Sequence, residues 1–342
     1  MSRTLAWGIM GTGRIAGIFA NGVAQSQTGR LVAVGSRSQA DADAFGETWH
    51  MLHRHGSYAD LLADESVQAV YIATPHPFHA EWAIKAAEAK KHVLCEKPIA
   101  LNSAEALAMI EAARRNDVFL MEAFMYRCHP QTTKLVELIR SGMIGQVRVI
   151  QATFSFQVPF NPESRLLNKA LGGGSILDVG CYTASMARLI AGAATGQDVA
   201  EPVQVAAVGH VGEMQVDEYT IASLSFPGDI LAQLFVRVRV NGENVVRIFG
   251  TEGSILIPSP WVPRPSDAPS LLVKKDDEAT VQEISVGQTP DLYALEADMV
   301  AAHIDERQAP VMTWNDTLGN MKTLDRWHAA IGVVYASDKS TE

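Results

Sequence analysis

The chain opens on Leu5-Ala6-Trp7-Gly8-Ile9-Met10 and passes at once into Gly11-Thr12-Gly13-Arg14-Ile15-Ala16. A short apolar run stopped by glycine reads as a buried strand, with a helix over 15–24 and a second strand over 31–34 behind it. That order, strand, glycine turn, helix, strand, is the context in which G-x-G-x-x-G/A has a physical meaning. Gly11 permits the tight turn, Gly13 lets the backbone approach a pyrophosphate, and Ala16 is small enough for the helix to close on the strand. The first helical turn then offers unpaired N–H groups and the positive end of its dipole to phosphate oxygens. Gly11, Thr12, Gly13, Arg14 and Ile15 are therefore candidate cofactor contacts, and a doubly wound parallel sheet is the expected fold of this half.

The end of the second strand selects the nucleotide. A site for NAD carries Asp or Glu there, holding the ribose hydroxyls. Here the chain reads Gly35-Ser36-Arg37-Ser38. No acid repels a 2′-phosphate, and Ser36 and Arg37 suit one, so the expected cofactor is NADP(H) in preference to NAD(H). Further strands are expected at 69–73, 92–95 and 118–121, the last delivering Glu122. Helices are expected at 40–46, 58–62 and 81–90, and another starts at Asn102, with Glu105 completing a capping box. A helix-length segment separates consecutive strands, which makes the sheet parallel. Ligands of such sheets gather at the carboxyl ends of the strands. That rule singles out Thr74, Pro75 and His79 after one strand and Glu96-Lys97-Pro98 after the next. A lysine is costly to bury without a partner or a task. Lys97 is either half of an ion pair capping the strand or a working cation. His50, His53 and His55 lie close in sequence, but no cysteine or carboxylate set completes a site around them, so no metal is expected.

Beyond Glu122 apolar runs give way to alternation. A helix is expected over 130–141 and strands over 147–156, 203–211, 218–226, 230–240, 245–249 and 254–257. Pro227-Gly228-Asp229 and Asn241-Gly242 read as hairpin turns, which implies a consecutive antiparallel sheet. Helices over 292–304 and 318–331 close the chain, and the Pro-rich 258–269 reads as a loop. One face of such a sheet can stay open, a candidate interface for a homodimer or homotetramer. Gly172-Gly173-Gly174 precede a helix on which Asp178 and Tyr182, four apart, share a face. They are either a carboxylate and a phenol that work on a hydroxyl, or a dipole-favoured Asp and a half-buried tyrosine.

The 342 residues suggest two domains, 1–124 for dinucleotide binding and 125–342 for substrate binding and association, with the C-terminal helices able to pack back on the first. A formal charge of −10 argues against a nucleic-acid partner. No apolar run reaches the roughly 18 residues of a membrane span. The N-terminus has no pattern of a secretory leader, and Cys95, Cys128 and Cys181 lack ligand spacing, as expected of reduced thiols in the cytoplasm.

Four segments in this order, Gly11 to Ala16, Ala73-Thr74-Pro75, Cys95-Glu96-Lys97-Pro98, and Gly172-Gly173-Gly174 through Asp178 to Tyr182, make the chain resemble the Gfo/Idh/MocA oxidoreductases over nearly its whole length. The resemblance implies a Rossmann domain and a second α/β domain with an open sheet. Tyr182, where many members have histidine, and Met121-Glu122-Ala123-Phe124-Met125-Tyr126-Arg127 look like the branch holding glucose–fructose oxidoreductase, dimeric dihydrodiol dehydrogenase and NADP-dependent xylose dehydrogenases. The mammalian dihydrodiol enzymes carry tryptophan where this chain has Met125, which turns the expectation toward a sugar or related polyol. By resemblance, Tyr182 is the general acid/base, Lys97 the cation that lowers its pKa, and Asp178 the group that binds a neighbouring hydroxyl. Glu96 then contacts the nicotinamide or its ribose, and Arg127 is a further cofactor candidate. The rival expectations are a trans-dihydrodiol dehydrogenase, a glycosidase that uses NAD transiently, and an NADP-binding sensor without turnover.

Overall fold

The computed structural model describes residues 4–263 and 269–341. Part of the expected 258–269 loop, residues 264–268, lies outside them. The chain divides into two compact units. The first comprises residues up to Ala100, Ala104–Cys128 and Pro290–Thr317, and the second comprises Leu101–Ser103, His129–Thr289 and the chain from Leu318 onward.

In the first unit, strands β1 (Leu5–Met10), β2 (Gly29–Gly35), β3 (His53–His55), β4 (Ala69–Ile72), β5 (His92–Glu96) and β6 (Leu120–Ala123) form one sheet. Its order is β3-β2-β1-β4-β5-β6, and every pairing is parallel. Helices α1 (Arg14–Gln25), α2 (Gln39–Thr48), α3 (Tyr58–Ala63), α4 (His79–Glu88) and α5 (Ser103–Asn116) alternate with the strands. Strand β3 has three residues and none of the apolar pattern that marks the others, so the sequence did not announce it. Glu122 lies inside β6 rather than beyond its end. The strand order reverses between β1 and β4, and there Gly11 N donates to Gly35 O at 2.9 Å while Ala73 N donates to Met10 O at 3.0 Å. Under the sheet, Trp7 meets Phe19 edge-on at 5.2 Å and Phe19 stacks on Tyr71 at 3.8 Å.

In the second unit, α6 (Pro130–Arg140) and α7 (Cys181–Ala194) accompany an eight-stranded sheet. Its strands are β7 (Val147–Ser155), β8 (Gln204–Val211), β9 (Asp217–Phe226), β10 (Ile230–Arg237), β11 (Val246–Gly250), β12 (Gly253–Ile257), β13 (Ser270–Lys275) and β14 (Gln282–Ser285). The order is β14-β13-β12-β11-β7-β10-β9-β8. The expectation of a consecutive antiparallel sheet is corrected here: β7 sits at the centre, parallel to β10 and antiparallel to β11. Asn241-Gly242 accordingly joins two strands that flank β7 and closes no hairpin, whereas Gly228 and Asp229, both at positive φ, do turn β9 into β10. Helix α7 packs on β7 and β10 and is buried through Ala193. The opposite face of the sheet exposes Val208, Leu231 and Phe249.

Two long helices follow. Helix α8 (Leu292–His303) belongs to the first unit and lies on α1 so closely that a Cβ on Gly22 would stand 2.4 Å from the Cβ of Tyr293. From α9 (Trp314–Ile331), buried Trp327 donates to Thr220 Oγ1 of the second unit at 3.0 Å. Among the described residues no helix is long and apolar enough to cross a membrane.

Candidate functional site

The turn after β1 has the shape its glycines predict. Gly11 sits at φ +105°, and a Cβ there would press on Ala73 O at 3.1 Å. A Cβ on Gly13 would stand in open space. The first turn of α1 closes with Gly17 N on Gly13 O, so the N–H groups of Arg14, Ile15 and Ala16 have no partner within their own helix. Thr12 and Ile15 are half-buried and Arg14 is exposed, while Ala16 is buried against the sheet. After β4, Thr74 is buried and its Oγ1 finds no hydrogen-bond partner among the described residues. An open glycine, free helical N–H groups and an orphaned hydroxyl at one sheet edge fit a dinucleotide. At the end of β2, Ser36 is buried and donates its N–H to His55 O, while Arg37 is exposed. Burial raises the pKa of Tyr58, and the Arg37 guanidinium at its hydroxyl partly offsets this.

The segment after β5 is held from three sides. Lys97 N donates to Glu96 Oε2 at 3.2 Å, Pro98 O lies 2.9 Å from His79 Nδ1, and Ile99 N donates to the buried Glu122 Oε1 at 3.0 Å. The Lys97–Pro98 peptide is cis. His79 is fully buried, with Nε2 2.8 Å from Thr74 O, so its ring ties the ends of β4 and β5 together from beneath. Burial lowers its pKa, and the carbonyls around it only partly oppose that. Glu96 Oε1 accepts from the buried Tyr71 hydroxyl. Next to it in charge, Glu296 of α8 is fully buried and neither of its oxygens has a partner among the described residues. Burial first, then the charge of Glu96, pushes the Glu296 carboxyl well above the usual range. Arg127 is buried and its Nη2 donates to Asp316 Oδ2 at 2.6 Å.

In the second unit Gly174, at φ +122°, brings the chain so close to Asp217 that a Cβ would lie 2.4 Å from its Oδ1. Asp217 Oδ2 accepts from Ser175 Oγ and from Ile176 N, both at 2.7 Å. A π-helical turn, Ile176–Gly180, follows and runs into α7. It carries Asp178, and Tyr182 follows on α7. Asp178 Oδ1 accepts from Arg165 Nη1 at 2.9 Å. Tyr182 is 4% exposed, with Phe154 of β7 edge-on at 5.2 Å and Trp261 at 5.9 Å. Phe154 and Trp261 stack nearly parallel, and Trp261 is fixed by Nε1 on Thr153 O at 2.9 Å. The carboxylate and the phenol thus lie one turn apart on a wedged segment. Arg165, Trp261 and Asp217 carried no signal in the sequence, because each reaches the segment from a separate loop or strand.

The family model for the oxidoreductase family with an NAD-binding Rossmann fold, Gfo/Idh/MocA, matches residues 5–124, and that for the GFO/IDH/MocA C-terminal domain matches 132–256. A trans-1,2-dihydrobenzene-1,2-diol dehydrogenase of Mus musculus is 31% identical over 344 residues, covering 98% of this chain and 99% of its own. The chain belongs to the Gfo/Idh/MocA oxidoreductase family. Another relative, a D-xylose 1-dehydrogenase (NADP(+)) of Haloferax volcanii, is 30% identical over 94% of this chain and 95% of its own. Among solved structures, an aldose-aldose oxidoreductase of Caulobacter crescentus, complexed with glycerol, superposes with a TM-score of 0.85 at 26% identity, over 96% and 97% of the two chains.

Proposed function

We propose that this Gfo/Idh/MocA oxidoreductase uses NADP(H) and acts on a ring carbon bearing a hydroxyl or carbonyl in a sugar or related polyol. The observation that carries the reading is the wedged pair Asp178 and Tyr182, a hydrogen-bonding carboxylate one turn from a phenol, in a chain whose other unit has a turn that fits a dinucleotide. When bound, the nicotinamide gives or takes the hydride. The remaining work belongs to the side chains. Tyr182 Oη passes the proton to or from the substrate oxygen. A free phenol titrates near 10, too high for that task at neutral pH, so the chemistry calls for a cation that favours the phenolate, a role the family resemblance gives to Lys97. Asp178, aimed by Arg165, accepts a hydrogen bond from a neighbouring substrate hydroxyl. Ser36 and Arg37 take the 2′-phosphate, and Gly11 to Ile15 with Thr74 and Pro75 take the pyrophosphate and its ribose. The names of two relatives, an NADP(+) xylose dehydrogenase and an aldose oxidoreductase, support a sugar. A second reading, a dihydrodiol substrate, is favoured by the name of the mouse relative. The exposed face of the eight-stranded sheet, with Val208, Leu231 and Phe249, is assigned to self-association in the cytoplasm.

The test is a panel of aldoses, inositols, anhydrosugars and trans-dihydrodiols, read by nicotinamide absorbance with NADP and NAD in parallel. An aldose or polyol turned over faster with NADP is the expected result. Turnover of dihydrodiols alone would favour the second reading, and release of a sugar without net redox change would overturn both.

A further inference from the structure

The strand the sequence did not announce carries a cluster that the reaction does not use. His53 and His55 are two apart on β3, so their side chains share one face of the strand. Helix α3 turns the chain back on itself, and Asp64, its C-cap, meets them there. His53 Nδ1 and His55 Nε2 lie 2.5 Å and 2.9 Å from the same atom, Asp64 Oδ2. The three ligand atoms lie within 4.8 Å of one another. The sequence expectation that no carboxylate completes this histidine cluster is thereby corrected; His50 takes no part.

The other carboxylate oxygen is already fixed. Asp64 Oδ1 accepts from Ser66 Oγ at 2.7 Å and Ser66 N at 2.9 Å, which leaves Oδ2 to the imidazoles. Burial opposes ionisation of Asp64, but the Ser66, His55 and His53 hydrogen bonds outweigh it and hold the carboxyl well below its usual range. The Lys91 ammonium is taken up by the backbone carbonyls of Asp64 and Val67, Nζ donating to each at 2.8 Å. The Asp64 side chain is 7% exposed, His55 23% and His53 45%, so the cluster is anchored on one side and open to water on the other.

We infer that His53, His55 and Asp64 form a binding site for a divalent transition-metal ion of the zinc type, with solvent completing its coordination. Two imidazoles and a carboxylate suit zinc, cobalt or nickel rather than magnesium or calcium. A carboxylate whose second oxygen is pinned by its own hydrogen bonds is the outer-shell arrangement that orients a metal ligand. A tetrahedral ion with ligand bonds of about 2.0–2.1 Å needs its donors roughly 3.3 Å apart. The imidazoles therefore move outward from Asp64 by less than about 1 Å, which the half-exposed His53 can do. The ion clips edge strand β3 to the end of α3. His55 O accepts from Ser36 N, so the clip also braces the backbone of the residue assigned to the 2′-phosphate.

The test uses the full chain, stripped with a chelator and titrated with ZnCl2, with MgCl2 as control, by calorimetry and thermal melting. The expected result is one Zn2+ per chain, a raised melting temperature, and no response to Mg2+. CoCl2 is expected to give the intense visible bands of a tetrahedral nitrogen–oxygen site. H53Q, at the exposed ligand, is expected to weaken Zn2+ binding about a hundredfold, and S66A, which removes the Oγ bond to Asp64 Oδ1 and the 3.2 Å contact with His53 Nδ1, about tenfold. D64N gives a further check on the carboxylate itself. Zn2+ binding unchanged in both H53Q and S66A, or no stoichiometric binding to the parent protein, would overturn the site whatever the substrate of the enzyme proves to be.

Discussion

Asp217→Asn should make the protein gain stability relative to its parent as the pH rises. Asp217 is fully buried beneath the turn that leads to Asp178, and burial raises its carboxyl from the usual 3.8 to about 6, against the opposing bonds from Ser175 and Ile176. The native state therefore holds this proton more tightly than the unfolded chain does. The stabilisation is complete below pH 3.8 and is lost as the pH passes through 6. A displacement of just over two pH units, at about 1.4 kcal/mol each, amounts to about 3 kcal/mol. Asparagine keeps an acceptor for Ser175 and Ile176 but never ionises. Buried His328, whose Nε2 lies 3.8 Å from Asp217 Oδ1, is held to about 4 by burial and stays neutral across most of the range. Urea unfolding of both proteins at pH 5, 6, 7 and 8 reads the difference. Variant minus parent should climb by about 1.4 kcal/mol between pH 5 and 8, the rest of the loss falling below pH 5. A difference that stays level would show that Asp217 does not carry a raised pKa and that the burial argument is wrong.

Three further outcomes are expected. Arg37→Ala should raise the KM for NADP by about tenfold or more, the worth of one charge-assisted contact, and leave that for NAD nearly unchanged in steady-state kinetics. Asp316→Ala removes the carboxylate that lies 2.6 Å from the buried Arg127 guanidinium, both side chains being under 5% exposed, and should cost about 3–5 kcal/mol in denaturant melts. Gly22→Ala drives a methyl into the backbone of Tyr293 and Ala294 and should lower stability by about 1–3 kcal/mol by the same measurement.

The dinucleotide-binding unit was legible because its information is local. Each of β1, β2, β4 and β5 is a contiguous apolar run, and the glycines stand where a tight turn and an open approach need them. Strand β3 escaped because three residues, two of them histidines, carry no periodicity. The second sheet was legible in its strands but not in their order. Alternation marks β7, β9 and β10 one at a time, whereas the parallel pairing of β7 with β10 depends on contacts some eighty residues apart. Asn241-Gly242 has hairpin chemistry without a hairpin for the same reason. At the site, Asp178 and Tyr182 could be found from their spacing, although the turn that carries Asp178 is π-helical. Arg165, Trp261 and Asp217 could not, since only the folded chain brings them to that segment. Asp64 is the same case at short range: nine residues from His55, it becomes a neighbour only because α3 reverses the chain.

The most direct test of the proposed chemistry is the turnover of Tyr182→Phe, measured alongside its affinity for NADPH on the best substrate of the panel. Removing one oxygen from a ring packed edge-on against the stacked Phe154 and Trp261 leaves the packing in place. If Tyr182 moves the proton, kcat falls by about 10²–10⁴-fold while NADPH binds as before. A kcat within a few-fold of the parent would contradict the assignment and leave Tyr182 a packing residue.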